Sequence, residues 1–233
     1  MTSMDALVEP LFHALVSGSR PESRALVADA LNLGASPEEV VSGLFWPAYE
    51  TIDRLYRADK LGTLSHHMAT RLLRVHTDQI AARFTRREAN GRSIFAVCGP
   101  TDADELGAQM AVDLLEADGY DIAFAGGGIA NDEILAQVQD FQPSVLLLFA
   151  SAPSDLPNIR RLIDTIREIG ACSATQVAVG GGVFNRADGL AEEIGADVWA
   201  SSPFELLSVI TENAARRAGA GQRTVGRKRR KAA

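Results

Sequence analysis

The chain has 233 residues, 46% of them hydrophobic, and a formal net charge of −7, enough for one large domain or two small ones with their own cores. Its longest apolar runs, such as Val145 to Ala150, fall far short of the roughly 20 residues of a membrane-spanning helix. The start Met1-Thr2-Ser3-Met4-Asp5 lacks the basic and apolar regions of a secretory signal, so a cytoplasmic location is expected.

Residues 5–88 read as helical throughout. Apolar residues recur at three- and four-residue spacing, as in Leu7, Leu11, Ala14, Leu15 and again in Leu44, Ala48, Ile52, Leu55, which is a helical period. Breaks at Ser17-Gly18-Ser19, Gly34-Ala35-Ser36-Pro37 and Asp59-Lys60-Leu61-Gly62 divide the region into about four helices. Ser36-Pro37-Glu38-Glu39 offers an N-cap, a proline at the first helical position and acids in the first turn. A four-helix bundle is the simplest packing. The polar stretch Arg86-Arg87-Glu88-Ala89-Asn90-Gly91-Arg92 is the expected domain linker.

From Ser93 onward short apolar runs alternate with helical stretches. Strands are expected at 94–98, 122–125, 145–150, 177–179 and 198–200, with helices at 105–118, 131–140 and 156–169. The expected fold class is therefore α/β: an N-terminal four-helix bundle (5–88) followed by a flavodoxin- or Rossmann-like, doubly wound parallel sheet (93–212). Cys98 and Cys172, the only two cysteines, are expected to be reduced core thiols. Residues 213–233 carry eight Lys/Arg and no acid, which leaves 15 bases against 30 acids before them. That acidic body repels nucleic acid, and the basic end, with Arg227-Lys228-Arg229-Arg230-Lys231, reads as a disordered solubilising tail in preference to a contact with phosphates or an acidic partner.

Ligands of such sheets bind beyond the carboxyl ends of the strands, and the loops there, 99–107, 126–131, 151–155, 180–186 and 201–204, concentrate glycine, serine and acid. Three of them together resemble the cobalamin-binding domain. Asp102-Ala103-Asp104-Glu105-Leu106-Gly107 matches the family's D-x-H-x-x-G, Ser151-Ala152-Pro153 its S-x-L and Gly180-Gly181-Gly182 its G-G, each after the right strand and at the family's spacing. An ordinary flavodoxin-like domain explains any one of these loops, but not three in register. The resemblance implies that Asp102, Asp104, Glu105, Gly107, Ser151, Gly180, Gly181 and Gly182 line a cobalamin. The glycines would let backbone approach the nucleotide tail, and the serine would hydrogen-bond it. Asp104 stands where the family has the histidine that ligates cobalt from below. A carboxylate is a harder donor than imidazole, so Asp104 is expected to hold a water or the nucleotide base instead.

The helical half extends the resemblance. Ile52 to Thr70 is similar to the cap segment of cobalamin photoreceptors and corrinoid methyl carriers, with Tyr56 at the family's tryptophan, His66 at its glutamate and His67 at its histidine. Trp46, Tyr56, His66 and His67 are accordingly expected at the upper face, with His67 or His66 as an upper cobalt ligand. Arg71 and Arg74 on the same helix are candidates for the propionates of a bilin, against the simpler reading of a solvated face.

The resemblance implies two functions. The first is a non-catalytic light sensor, closest to the photocobilins, in which photolysis of adenosylcobalamin, with biliverdin as a second chromophore, changes domain packing or the state of a homo-oligomer. The second is a corrinoid methyl carrier of a methyltransferase system. Such carriers keep the lower histidine, and its replacement by Asp104 favours the sensor. A module that has lost its cofactor is disfavoured by the intact glycine and serine spacing. With no helix-turn-helix ahead of residue 5, direct transcription control is not expected.

Overall fold

The computed structural model describes residues 4–170, 172–219 and 222. Four helical rods build the N-terminal half: α1 (Asp5–Val16), α2 (Arg20–Asn32), a rod running from α3 (Pro37–Val40) into α4 (Trp46–Arg57), and α5 (Thr63–Ala81). Leu7, Leu11, Ala14 and Leu15, the apolar stripe of α1, are all buried. At the start of α3 the Ser36 hydroxyl accepts from the Glu39 amide at 3.1 Å and the Glu39 carboxylate accepts from the Ser36 amide at 2.8 Å, a capping box that satisfies two end donors at once. Between α3 and α4 the rod widens into a π turn, Val41–Phe45. Pro47 has no amide hydrogen, and in a regular helix its ring would collide with the Gly43 carbonyl; the wider turn is the usual remedy. No helix among the described residues is long and apolar enough to cross a membrane.

The linker is fastened rather than loose. The Arg87 amide donates to the Ala117 carbonyl at 2.8 Å and the Asn90 amide to the Gly119 carbonyl at 2.9 Å, while Arg86 pairs with Glu116 at 3.2 Å. Gly119 has φ +92°, and a Cβ there would lie 2.2 Å from the Glu88 carbonyl oxygen. Only glycine lets the linker cross so closely.

The second half is a five-stranded parallel sheet, β1 (Ser93–Cys98), β2 (Asp121–Gly127), β3 (Val145–Phe149), β4 (Gln176–Gly180) and β5 (Val198–Ala200), in the order β2-β1-β3-β4-β5. Alternation along the strands serves two cores. Ile94, Ala96, Val145, Leu147 and Ala178 face α6 (Asp102–Ala117) and α11 (Pro203–Glu212). Phe95, Val97, Leu146, Leu148, Val177 and Val179 face α7 (Asn131–Phe141), α8 (Leu156–Ile169), α9 (Gly182–Asn185) and α10 (Leu190–Ile194). This is the doubly wound α/β architecture expected from the sequence. The bundle is not separate from it, because Leu106, Met110 and Leu114 of α6, with Phe149 of β3, share one buried cluster with Leu11, Phe45 and Leu73.

Residues 213–219, read from the sequence as the start of a free tail, are held against the sheet. Gln176 donates to the Asn213 carbonyl at 2.7 Å, the Ala218 amide donates to Asp197 at 2.6 Å, and the Arg216 guanidinium lies 4.7 Å from the centre of the Trp199 ring. The basic run Arg227–Lys231 lies outside the described residues. Cys98 and Cys172 are both free thiols.

Candidate functional site

The site is built from the loop after β1 upward. Thr101 caps α6: its hydroxyl accepts from the Asp104 amide at 3.1 Å and donates to the Asp104 carboxylate at 2.5 Å. Asp104 is wholly buried, and its Oδ1 has no hydrogen-bond partner. A carboxylate in the first turn is favoured by the helix dipole. Asp155, in the loop after β3, approaches from the other side. A Cβ on Gly99 would lie 2.6 Å from Asp104 Oδ2 and 3.1 Å from Asp155 Oδ2. Burial, and then the Asp104 charge, push the Asp155 carboxyl above its usual range. The same surroundings push the Cys98 thiol up to about 12, burial first and the Asp104 and Glu105 charges next, so that thiol stays protonated and unreactive.

Ser151, just past β3, is wholly buried; its Oγ faces the Tyr49 hydroxyl without a well-formed hydrogen bond, and Arg186 donates to its carbonyl oxygen. At the end of β4, a Cβ on Gly180 would meet only Ala200 O and Phe149, both at 3.9 Å. Gly180 therefore leaves a methyl-sized cradle beside the Phe149 ring. Gly181 is different: its φ is +106° and a Cβ would fall 2.2 Å from the Ala150 carbonyl oxygen, a position open to glycine alone. Gly107 meets Phe149 from the helix side, since its Cβ would lie 2.5 Å from the ring and 2.8 Å from the Tyr49 hydroxyl. The 104–107 turn, Ser151 and Gly180, far apart in sequence, thus converge around Phe149 and Tyr49.

The bundle covers this end of the sheet. Tyr49 of α4 donates to the Ala103 carbonyl at 3.1 Å and packs against Trp46, ring centres 5.2 Å apart. A cleft of about 610 Å³ opens beside them, lined by Trp46, Asp53, Arg57, Gly182 and Arg186 among others. Asp53 and Arg57 form a 2.9 Å ion pair on its wall. On the other flank a cleft of about 620 Å³ lies between α5 and α6, lined in part by Arg71, Arg74, Asp102 and Glu105. Arg74 donates to Glu105 at 3.1 Å and to the Asp102 carbonyl at 3.2 Å, so two of the expected ligand-binding residues bind each other and tie bundle to sheet. Arg71 is exposed.

The paired histidines separate. His67 is exposed, whereas His66 is buried and stacked on Tyr56, ring centres 3.8 Å apart and planes 16° from parallel. Burial, and then His67, lower the His66 pKa, so the ring is neutral at pH 7. Neither of its nitrogens has a partner. Of seven buried side-chain polar atoms without partners among the described residues, five belong to His66, Asp104, Ser151 and Asp155. Each such atom costs about 1–3 kcal/mol if nothing meets it. Asp104, Ser151 and Asp155 lie in the turns that follow β1 and β3, at the carboxyl end of the sheet where Gly180 also lies, and unmet polar atoms there fit a polar ligand. Asp155 and Arg186 lie in loops expected to meet the ligand but match no family motif, and Phe149 and Tyr49 reach the site only through tertiary contacts.

The comparisons with known proteins agree on the family. The B12 binding domain family matches residues 92–208, and a second family of the same description matches residues 7–79. Monomethylamine corrinoid protein 1 of Methanosarcina mazei is 21% identical over 210 residues, covering 87% of this chain and 95% of its own. Dimethylamine corrinoid protein 1 of the same organism is 21% identical over 214 residues, 91% and 98% of the two chains. The structure of the Methanosarcina barkeri monomethylamine corrinoid protein shares the fold at a TM-score of 0.79 and 16% identity, over 90% of this chain and 99% of that one. These near full-length matches overturn the expectation of a photoreceptor. The photocobilin assignment, the biliverdin and the light-dependent oligomer, which rested on it, gain no support from these matches. The expectation rested on the cap segment, which photoreceptors and methyl carriers share, and on the exchange of the lower histidine for Asp104. With residues 92–208 matched by one model, half of the chain, and its helical half matched separately, the chain belongs to the B12 binding domain family.

Proposed function

We propose that the chain is a corrinoid methyl carrier, holding a cobalamin-type cofactor between the bundle and the carboxyl end of the sheet and presenting it to a partner methyltransferase. The observation that carries this reading is the coextension with the amine corrinoid proteins, bundle included, over 87% and 91% of this chain. The unpartnered atoms of Asp104, Ser151 and His66 support it as groups reserved for a ligand. Bound, the corrinoid supplies the cobalt that takes up and releases a methyl group; the chain itself is not a catalyst. Asp102, Asp104, Gly107, Ser151 and Gly180–Gly182 form the sheet side of the site, and Trp46, Tyr56 and His66 the bundle side. Glu105 acts at one remove, by fixing Arg74. On this reading the exchangeable upper group is methyl rather than adenosyl.

The test loads the full chain with hydroxocobalamin and passes it through gel filtration. Stoichiometric retention of colour is expected. After reduction, a methylamine-type methyltransferase with its methylated substrate should convert the bound cobalamin to methylcobalamin. A colourless chain, or a coloured one that no such methyltransferase methylates, overturns the reading.

A further inference from the structure

Cations outnumber carboxylates in the cleft of about 610 Å³ between α4 and the turn that follows β4: Arg54, Arg57 and Arg186 line it against Glu50 and Asp53. Two of the three arginines have a counter-charge. Arg57 Nε holds both oxygens of Asp53 at 2.9 Å, and Arg54 stands one helical turn beyond Glu50, close enough for its charge to act on that carboxyl. Arg186 has none. Among the described residues it forms no ion pair, and its Nη2 donates to the Ser151 carbonyl. Partial burial, and then the charge of Arg57, lower its pKa, yet a guanidinium stays charged at pH 7. A bond to one carbonyl needs a donor, not a cation set beside another cation. Arg186 Nη1, which Ser151 leaves unused, and Asp53 Oδ2 flank Gly182, where a Cβ would lie 3.3 Å from the nitrogen and 3.5 Å from the oxygen. The uncompensated charge therefore overhangs the last of the three glycines 180–182, at the strand end assigned above to the cofactor.

Resting on the corrinoid reading above, we infer that Arg186 is a specificity-determining residue, whose guanidinium receives the phosphate of the corrinoid's nucleotide tail, so that the chain selects corrinoids carrying that phosphate over those lacking it. The phosphodiester carries the negative charge of a cobalamin's periphery, whose ring side chains are neutral amides. A guanidinium offers a planar fork of donors that suits phosphate oxygens, and such charge-assisted bonds are the stronger kind. Asp53, by occupying Arg57, leaves Arg186 as the cation free to take the anion.

The experiment titrates the cofactor-free full chain with dicyanocobinamide and with its phosphate ester, two corrinoids that differ by the phosphate alone, and measures retention of hydroxocobalamin alongside. The parent should bind the phosphate ester about tenfold more tightly, the worth of one charge-assisted contact in a partly open cleft, and the margin should shrink as salt is raised. Arg186→Gln keeps a donor for the Ser151 carbonyl and removes the charge. It should bind the two corrinoids alike, with the affinity for dicyanocobinamide unchanged. Arg186→Lys keeps the charge and should preserve most of the margin. A parent that retains cobalamin but binds the two corrinoids equally overturns the inference, as does a margin that salt does not move. So does an Arg186→Gln chain that loses affinity for both corrinoids by the same factor, since that marks a residue of the fold. A parent that retains no cobalamin overturns the corrinoid reading itself.

Discussion

The hydroxyl of Tyr49 on α4 donates a 3.1 Å hydrogen bond to the carbonyl of Ala103, in the first turn of α6. It fixes the bundle to the loop that carries Asp102 and Asp104, and burial raises the Tyr49 pKa well above the ordinary phenol, so the group remains a donor at any working pH. Tyr49→Phe keeps the ring against Trp46 and removes the hydroxyl's bond to the Ala103 oxygen, which as a helical carbonyl retains its place in the α6 ladder. The expected loss is about 0.5–1.5 kcal/mol of stability, read as a lower urea midpoint at pH 7. An unchanged midpoint would mean that water replaces the hydroxyl without cost.

Gly180 and Gly181 should separate binding from folding. A Cβ at Gly180 meets nothing closer than 3.9 Å, so Gly180→Ala is expected to fold near-normally while its methyl group fills the cradle beside Phe149 and weakens cofactor binding. Gly181→Ala puts a methyl group 2.2 Å from the Ala150 carbonyl oxygen at φ +106°, a strained backbone and a clash together. Circular dichroism and cobalamin retention, measured on both, decide the point. Full cobalamin affinity in Gly180→Ala would place the cofactor elsewhere.

Asp113 of α6 gives a pH dependence with a definite sign. Burial raises its pKa to about 6, opposed by a hydrogen bond from Gln109 and reinforced by Asp78 and Glu116. Its Oδ2 has no partner. A carboxyl whose folded pKa exceeds its unfolded value binds its proton more tightly when folded, so its contribution is full below about 3.8 and lost as pH rises through about 6. Asp113→Asn should therefore gain in melting temperature over the parent as pH rises from 4 to about 7, and hold that gain above it. A difference independent of pH would show that the carboxyl titrates normally.

Asp104 and Asp155 should be electrically coupled through the space beside Gly99. Asp104→Asn keeps a side-chain oxygen for the Thr101 hydroxyl and removes the charge. The Asp155 pKa, followed by carbon-detected NMR of the cofactor-free chain, is expected to fall toward the ordinary value, though burial, the larger cause, should keep it raised. An unmoved Asp155 titration would show that the two carboxylates do not sense each other.

The sequence by itself determined the local structure and the family. Periodicity placed α8 at 156–169, where it lies, because three- and four-residue spacing is a property of a single helix. Strand runs came out within about two residues of their observed ends, and the three loop motifs named the cofactor class. α6 begins at Asp102 rather than 105 because the Thr101 side chain caps it, a signal present in the sequence and passed over. Only the tertiary structure decided which groups meet. His66 and His67 are neighbours in the chain, yet successive residues of a helix point about 100° apart, and the packing of α5 against Tyr56 buries one and exposes the other. The strand order β2-β1-β3-β4-β5 brings Ser151 and Gly180 to the same end of the sheet as Asp104, and Tyr49 reaches Ala103 across 54 positions. Contacts at such separations arise from the global packing of faces, and residue spacing carries no record of them.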